Sequence, residues 1–353
     1  MMSTPQKHIL LTVFTLQGGG AERHVLNLAR WFAERGHRAD IVTFKPIVEH
    51  DVPPNVKVHH FPYERFRSIP RVLRPRWVAA RFDRWVKRRV GTPDLVLSNL
   101  TPVDFILANS TLPNVHFVLH GPLSFELDGP YRGWSKELLI SAYRKKPVVA
   151  FTEGILNDFI RVTQHAKSSH VIPNSVDSNF VVEMASHFKS GIEDYLLHVG
   201  RFDQQKRQDW LLEAYQRSGV KARLVLLGSG NDRAVRAQIK RLKLTKKVLL
   251  MGFVANPYPI INGAKGVVMA SAYEGMPNLA LEAMALKTPL LALDSPPGMS
   301  SFIPEQCLVE YPKIDVLAEQ IALLEDTPES YLAPLPPGVD PDTVVERYLT
   351  LSD

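Results

Sequence analysis

Residues 8–44 read HILLTVFTLQGGGAERHVLNLARWFAERGHRADIVTF, and the order of elements along them indicates the fold. An apolar strand at His8–Phe14 is followed by three glycines and by a helix from Ala21 to about Arg35. Apolar residues recur at helical spacing along that helix, which predicts one face packed against a sheet. The chain then returns as a strand at Asp40–Phe44. Strand, glycine turn, helix and strand in this order form one βαβ unit of a parallel sheet.

The second half of the chain repeats this plan. It starts with a strand at Tyr195–Val199, followed by the loop Gly200–Lys206 and a helix at Gln208–Gln216. Further strands are predicted at 95–98, 115–119, 148–151 and 169–172, and at 223–227, 247–251, 266–269 and 289–293. The polar segment 178–193 is the expected hinge. We therefore expect an α/β fold of two Rossmann-like, doubly wound parallel-sheet domains with a ligand-binding cleft between them.

Composition limits the function classes. The 353 residues are 45% apolar and 22% charged, which is typical of a globular chain long enough for two cores. The single cysteine, Cys307, cannot form an internal disulfide, which favours a reducing, cytoplasmic compartment. The longest uncharged stretch, 105–125, is too polar to span a bilayer. The apolar start of the chain is interpreted as a buried strand rather than a signal peptide.

Positive charge is concentrated in one segment. Residues 61–90 contain ten arginines and lysines against two acidic residues, a local charge of +8, whereas the whole chain carries +6. From Trp77 onward, helical spacing places an aromatic stripe beside a cationic one, which is typical of helices that lie on an anionic membrane surface. The membrane-contact residues predicted in this way are Trp77, Arg81, Arg84, Trp85 and Arg88. The alternatives are a solvated helix whose aromatic residues face the core, and nucleic-acid binding, which we do not favour.

The glycine turn Gly18–Gly20 is the first candidate site. Glycines allow the backbone to approach a ligand closely, and the start of the following helix attracts anions. The turn lacks the lysine of a Walker loop and the full dinucleotide fingerprint, which argues against a dehydrogenase. By itself it predicts either an anion site or an ordinary tight turn.

A second candidate site follows the first strand of the second half. Arg201 and Lys206 lie five positions apart on one loop, where both cations can converge on a diphosphate. The other reading is a solvated loop with surface charges.

The strongest motif is residues 274–282, EGMPNLALE. Pro277 suits the first turn of a helix, whose amides at Asn278 and Leu279 would face an anion. A carboxylate beside a phosphate site is favourable when it accepts hydrogen bonds from hydroxyls. This assigns Glu274 to a sugar and Glu282 to a ribose.

Together these motifs resemble the retaining glycosyltransferases of family 4. The pair Glu274 and Glu282 resembles the family's Glu-x7-Glu signature, and residues 18–23, GGGAER, resemble its glycine loop. Gly200 and Arg201 with Lys206 resemble its diphosphate-binding pair. Residues 172–177, IPNSVD, resemble its Pro-Asn-Gly-Val-Asp turn, except that Ser175 takes the usual glycine position. The resemblance covers nearly the whole chain and implies the GT-B fold.

The resemblance also implies residue roles. The implied catalytic residues are Glu274, His120, Arg201 and Lys206. The implied donor-binding residues are Gly19, Gly20, Gly230, Phe253, Asn278, Leu279 and Glu282. No metal and no cofactor is implied, because cations and helix amides would stabilise the departing diphosphate.

The implied organisation is an acceptor-binding domain at 1–178, a nucleotide-sugar-binding domain at 179–335 and a tail at 336–353 that packs back on the first domain. The implied activity moves a hexose or N-acetylhexosamine, with retention, from a UDP-linked donor to a lipid-anchored glycan such as lipopolysaccharide core or a polyprenyl-linked oligosaccharide. The enzyme would act as a peripheral protein on the inner face of the cytoplasmic membrane. The alternatives are a GDP-mannose-dependent mannosyltransferase, a GT-B phosphorylase or nucleotide-sugar epimerase, and a non-enzymatic membrane or nucleic-acid binder.

Overall fold

The computed structural model describes residues 5–66, 68–69, 74–128, 135–165 and 168–352. The chain divides into two compact units: unit 1 comprises residues 1–174 and 341–353, and unit 2 comprises residues 175–340. Two basic residues of segment 61–90, Arg67 and Arg71, lie outside the described residues.

Unit 1 is built on a parallel sheet. Among its described residues, the sheet has seven strands: β1 (His8–Val13), β2 (Arg38–Thr43), β3 (Lys57–His60), β4 (Leu95–Asn99), β5 (Val115–Leu119), β6 (Val148–Ala150) and β7 (Ser169–Val171). Their order is β3-β2-β1-β4-β5-β6-β7. Residues 9–13 of β1 and all of β4 are buried, as is usual for central strands covered on both faces. The edge strand β3 was not predicted, because only one of its four residues is apolar.

The helices of unit 1 connect these strands. They are α1 (Gly20–Glu34), α2 (Arg74–Arg89), α3 (Thr101–Leu107), α4 (Leu123–Asp128), α5 (Lys136–Tyr143) and α6 (Glu153–Thr163). The α1 face that carries Val25, Leu28, Ala29 and Phe32 is buried, as the helical spacing predicts.

The aromatic residues near α2 mostly belong to the core. Phe61 and Phe82 are buried and meet edge to face, with ring centroids 5.2 Å apart. Trp85 packs edge to face on Phe61 at 5.5 Å and is only partly exposed, whereas Trp77 is 57% exposed. The expected aromatic stripe is therefore split, because Trp85 lies beside the buried positions 82 and 86 while Trp77 lies on the outer face.

Unit 2 repeats the architecture. In the part of it that the structure describes, six parallel strands are β8 (Tyr195–Val199), β9 (Arg223–Leu227), β10 (Val248–Gly252), β11 (Gly266–Met269), β12 (Leu290–Leu293) and β13 (Leu308–Val309), in the order β10-β9-β8-β11-β12-β13. The helices are α7 (Ser178–Ala185), α8 (Gln208–Ser218), α9 (Arg233–Arg241), α10 (Tyr258–Asn262), α11 (Asn278–Ala285) and α12 (Ile314–Asp326).

The segment 178–193, expected as a hinge, begins with α7 instead. Asp177 caps this helix by accepting a hydrogen bond from the Phe180 N–H at 3.0 Å, and Val181 and Ala185 are buried. The first half of the segment is thus a packed helix of unit 2.

The final helix, α13 (Pro341–Leu349), packs on unit 1. Asp342 in its first turn accepts a hydrogen bond from Arg35 Nε at 2.7 Å, and Tyr348 meets Phe32 edge to face at 6.4 Å. In the described residues, no helix is both long and apolar enough to cross a bilayer.

Each sheet reverses its strand order at one point. In unit 1 the reversal lies between β1 and β4, and in unit 2 it lies between β8 and β11. Ligands of such sheets bind beyond the carboxyl ends of the strands at this switch point. The loops that follow these four strands are therefore the places to look for a site.

Candidate active site

The glycine turn follows β1 at the switch point of unit 1. Gly18 has φ +40°, a left-handed conformation that favours glycine, and Gly19 is the N-cap of α1. A Cβ added at Gly19 would lie 2.3 Å from Oε2 of Glu22, so this carboxylate folds back over the start of the helix. A negative group there is favoured by the helix dipole. A donor phosphate at Gly19 and Gly20 would have to displace it.

His120 follows β5 and is hydrogen-bonded to the end of β4. Its Nε2 lies 2.8 Å from Oδ1 of Asn99, a buried side chain whose Nδ2 donates to Thr12 O at 3.3 Å and to Leu97 O at 3.2 Å. These two bonds orient the amide, so that its oxygen faces the imidazole and Nε2 must carry the proton. The Nδ1 atom of a neutral ring is then a hydrogen-bond acceptor.

The imidazole of His120 is held neutral. Burial, together with the neighbouring His24, lowers the pKa of His120 well below its usual value. Burial also lowers the pKa of His24 to about 4. The two rings meet edge to face at 5.3 Å, and Nδ1 of His24 lies 3.0 Å from Oδ1 of Asn174. A neutral Nδ1 on His120 can accept a hydrogen bond from a sugar hydroxyl.

Asn99 and His24 were not singled out from the sequence. The strand-order rule could have identified Asn99, because it ends β4 at the switch point. The next residue, Leu100, has φ +75°, a left-handed conformation that costs a branched residue about 1–3 kcal/mol. Such strained positions are typical of functional sites.

We expect the substitution Asn99→Asp to raise the pKa of His120, because a carboxylate beside Nε2 favours the imidazolium. The pKa of the ring should therefore move back toward that of an unperturbed imidazole. An NMR titration of the histidine rings measures this directly.

The matched control is Asn174→Asp, which places the same charge beside His24. It should charge His24 and thereby lower the pKa of His120 further. A shift of His120 in the same direction in both variants would contradict the assignment of the two hydrogen bonds.

In unit 2, the loop after β8 carries Arg201 and Lys206. Oδ1 of Asp203 accepts hydrogen bonds from the N–H groups of Gln205 and Lys206, both at 3.0 Å, which fixes the turn. The Arg201 side chain is 58% exposed and pairs loosely with Asp203 at 3.3 Å. Gln208 Nε2 donates to Arg201 O at 2.7 Å and so ties the loop to the start of α8.

Lys206 and Glu274 form an ion pair in which the carboxylate is buried and the lysine is partly buried. Nζ of Lys206 lies 2.5 Å from Oε1 of Glu274, and Ser271 Oγ donates to the same oxygen at 2.6 Å. Side-chain exposure is 19% for Lys206 and 6% for Glu274. The loops after β8 and β11 are joined here, as Ala272 N–H also donates to Gln205 O at 2.7 Å. Two residues predicted separately are thus brought together at the switch point of unit 2.

The helix after Glu274 begins one residue later than expected. Pro277 is the N-cap of α11, with φ −68° and ψ 131°, and Asn278 is the first helical residue. The amides of Asn278 and Leu279 belong to the first turn, where N–H groups have no intrahelical acceptor. Glu282 is buried and accepts a hydrogen bond from the Tyr258 hydroxyl at 3.3 Å.

Backbone hydrogen bonds connect the loops that follow β8, β9 and β10. Phe202 N–H donates to Ser229 O at 2.8 Å, and Gly228 N–H donates to Gly252 O at 2.8 Å. Gly230, with φ +110°, lies beside Phe202. Phe253 is 67% exposed at the end of β10. Gly230, Phe253 and Arg201 therefore lie on adjacent loops at one edge of the sheet.

Ser175, at the usual glycine position of its motif, lies outside the left-handed region. Its hydroxyl donates to Val339 O at 2.7 Å, and Val176 N–H donates to the same oxygen at 3.0 Å. The serine is accommodated here because the turn does not need a positive φ.

Two protein-family models match the chain. Residues 18–180 match the model described as Glycosyltransferase Family 4, and residues 193–326 match the model described as Glycosyl transferases group 1. The two matches lie one in each half of the chain.

Individual relatives agree with these matches. The N-acetylgalactosamine-N,N'-diacetylbacillosaminyl-diphospho-undecaprenol 4-alpha-N-acetylgalactosaminyltransferase of Campylobacter jejuni is 23% identical over 296 residues, 81% of this chain and 80% of its own. The lipopolysaccharide 1,6-galactosyltransferase of Salmonella typhimurium is 24% identical over 232 residues, 63% of this chain and 61% of its own.

A solved structure confirms the expected fold. The crystal structure of Anabaena HepE in complex with UDP and glucose superimposes with a TM-score of 0.74 at 18% identity, covering 98% of this chain and 97% of that chain. The chain therefore belongs to the GT-B glycosyltransferases, with a family 4-like domain followed by a group 1 domain, and is homologous to bacterial lipopolysaccharide and polysaccharide glycosyltransferases.

Proposed function

We propose that this glycosyltransferase moves a hexose or N-acetylhexosamine from a UDP-linked donor to a lipid-anchored glycan, with retention at the anomeric carbon. The observation that carries the proposal is the pairing of Lys206 with Glu274 at the switch point of unit 2. Unit 2 would bind the donor, and the family 4-like domain would bind the acceptor.

When the donor binds, Lys206 and Glu274 would separate and each would take a new partner on the donor. A bound diphosphate would attract Lys206 as a point charge and the exposed Arg201 as a planar fork. Glu274, released from Lys206, would accept hydrogen bonds from hydroxyls of the donor sugar. Glu282 would take the ribose hydroxyls, the amides of Asn278 and Leu279 the diphosphate, and Phe253 with Gly230 the base and its surroundings.

In the proposed reaction, the acceptor hydroxyl attacks the anomeric carbon on the face from which the diphosphate leaves. The bond from that carbon to the diphosphate oxygen breaks, and this oxygen takes the proton of the hydroxyl. Lys206, Arg201 and the helix amides would stabilise the negative charge that develops, without a metal ion. In unit 1, Nδ1 of His120 would accept a hydrogen bond from the transferred sugar.

The names of the relatives support the choice of substrates. The Campylobacter enzyme is named for a diphospho-undecaprenol acceptor, and the Salmonella enzyme for lipopolysaccharide. The Anabaena structure contains UDP and glucose.

A donor screen tests the proposal. The purified protein is incubated with UDP-glucose, UDP-galactose, the UDP-N-acetylhexosamines and GDP-mannose, with a polyprenyl-diphosphate glycan or lipopolysaccharide core as acceptor, and the products are analysed by mass and anomeric configuration. Transfer from a UDP-sugar with an α-linked product supports the proposal. Transfer from GDP-mannose alone would make the protein a mannosyltransferase, and the absence of any transfer would favour a binding protein.

We also propose that the outer face of α2 holds the enzyme peripherally on the inner face of the cytoplasmic membrane. Trp77 and the exposed cations Arg81, Arg84 and Arg88 lie on that face. Each basic residue near an anionic leaflet contributes about 1 kcal/mol of attraction. Trp85 contributes less than the sequence predicts, since it packs on Phe61.

The substitution of Arg84, Lys87, Arg88 and Arg89 by serine is expected to weaken binding to phosphatidylglycerol-containing vesicles at least about tenfold at low salt. Sedimentation with vesicles measures this, and vesicles of phosphatidylcholine alone are the control. Undiminished binding of the variant at low salt would refute the membrane role.

A further inference from the structure

A groove of about 400 Å³ lies on unit 1, between α2 and the turn that follows α3. Its lining includes the helix residues Asp83, Arg84, Lys87 and Arg88, and the turn residues Asn109 and Thr111. The groove therefore combines a strongly basic helix with a polar turn.

Among the described residues, no acidic side chain forms an ion pair with the cations of the groove. Arg84, Lys87 and Arg88 are exposed, and none of them forms a hydrogen bond or ion pair with another residue that the structure describes. Their spacing of three and four residues places them on one helix face, where like charges repel. An anion in the groove would relieve that repulsion.

Among the described lining residues, Asp83 is the one carboxylate, and it is already hydrogen-bonded. Asp83 is 5% exposed, and its oxygens accept hydrogen bonds from Ser110 Oγ at 2.6 Å, Thr111 N–H at 2.6 Å and Thr111 Oγ1 at 2.9 Å. These bonds hold the turn against α2. The Asp83 carboxylate thus builds the groove and has its acceptors satisfied from the turn side.

The turn adds hydrogen-bond donors and further positive charge. Lys145 Nζ donates to Oδ1 of Asn109 at 2.9 Å, so that the Nδ2 amide of Asn109 remains as a donor. Lys146 Nζ donates to Ser110 O at 2.8 Å. Positive charge therefore lies on the helix side of the groove and next to the turn.

Helix electrostatics explains only part of this arrangement. Positive charge is favoured in the last turn of a helix, which accounts for Lys87 and Arg88 but not for Arg84. A flat membrane surface would attract Arg76 and Arg81 equally, although both lie outside the groove. Neither the helix dipole nor a flat membrane surface explains why three cations and an amide line the same groove.

We propose that this groove binds a phosphate group, supplied either by the phosphorylated or diphosphate-linked acceptor or by a lipid headgroup. Arginine forks, a lysine and an amide are the donors that phosphate oxygens prefer. The idea that the acceptor supplies the phosphate rests on the proposed function. The idea that the groove binds phosphate does not.

The experiment compares two variants of equal charge. Lys87→Gln/Arg88→Gln removes two cations of the groove, and Arg81→Gln/Arg89→Gln removes two exposed cations of the same helix outside it. Binding of inorganic pyrophosphate is measured by calorimetry for both variants and for the unaltered protein. Any pyrophosphate binding at the Arg201–Lys206 loop is the same in all three proteins. A difference between their titrations therefore comes from α2.

The groove variant is expected to bind pyrophosphate at least about tenfold more weakly, and the control variant less than about twofold more weakly. Equal affinities in the two variants would overturn the proposal. Vesicles of phosphatidylcholine, with and without phosphatidylglycerol, then distinguish the sources: selective loss of vesicle binding in the groove variant assigns the phosphate to the headgroup, and equal loss in both variants assigns it to the acceptor. Because pyrophosphate binding needs no donor sugar, a failed donor screen leaves this test intact.

Discussion

Replacement of Lys206 by methionine is expected to lower kcat/KM for sugar transfer by about a hundredfold to a thousandfold, the usual cost of removing one group that stabilises developing charge. The lysine has two tasks: it pairs with Glu274 in the structure, and it would move to the leaving diphosphate in the proposed reaction. Methionine keeps the volume of the side chain and removes its charge.

The same substitution is expected to destabilise unit 2. The Glu274 side chain is only 6% exposed, so that without the lysine its carboxylate stays buried with Ser271 as the remaining donor at Oε1. Breaking one side of a buried ion pair typically costs about 3–5 kcal/mol. Activity and stability must therefore be measured separately, by initial rates and by urea unfolding.

The double variant Lys206→Met/Glu274→Gln separates the two effects. The amide oxygen of the glutamine still accepts from Ser271, and no charge is left buried, so most of the lost stability should return. Activity should stay low, because neither the cation nor the carboxylate is present. A double variant as active as the unaltered protein would exclude both residues from catalysis.

Lys265→Met is the matched control for loss of a lysine in unit 2. Lys265 pairs with the exposed Asp194 at 2.9 Å. Exposed pairs contribute about 1 kcal/mol or less, so this variant should keep both its stability and its activity.

The fold was predictable because its signal is local. Apolar strands, the glycine turn and the periodic face of α1 each lie within a few residues of one another. Repetition of that plan in the second half then predicted two parallel sheets. The strand β3 was not predicted because Lys57, His59 and His60 give it a polar sequence. Its place in the sheet is set by pairing with β2.

Individual residues of the site could be predicted from the sequence, but the contacts between them could not. Lys206 and Glu274 are 68 positions apart, and His120 and Asn99 are 21 apart, so no spacing in the sequence indicates either contact. Both contacts follow from the order of strands in the sheets, which places the loops after β8 and β11, and the ends of β4 and β5, side by side. The groove on α2 likewise depends on the turn after α3.

The substitution Gly228→Ala is expected to destabilise unit 2 by about 3 kcal/mol or more. A Cβ at this position would lie 1.9 Å from Gly200 O and 2.8 Å from Gly200 C, and these are backbone atoms that cannot rotate away. To make room, the loops after β8 and β9 must separate, and the former carries Arg201. Sugar transfer should therefore fall as well, even at temperatures where the variant is folded.

The control is Gly219→Ala, at the end of α8. Gly219 has φ +70° with nothing within 4 Å of an added Cβ, so alanine there costs only the left-handed backbone, about 1–2 kcal/mol. Unfolding is followed by circular dichroism and by fluorescence, to which unit 2 contributes through Trp210 on α8, the single tryptophan of residues 175–340. If Gly228→Ala unfolds at the same urea concentration as Gly219→Ala, the close approach of the two loops does not constrain the protein. A larger loss of stability in Gly228→Ala, accompanied by weaker donor binding, would show that the close contact between Gly228 and Gly200 also holds Arg201 in place.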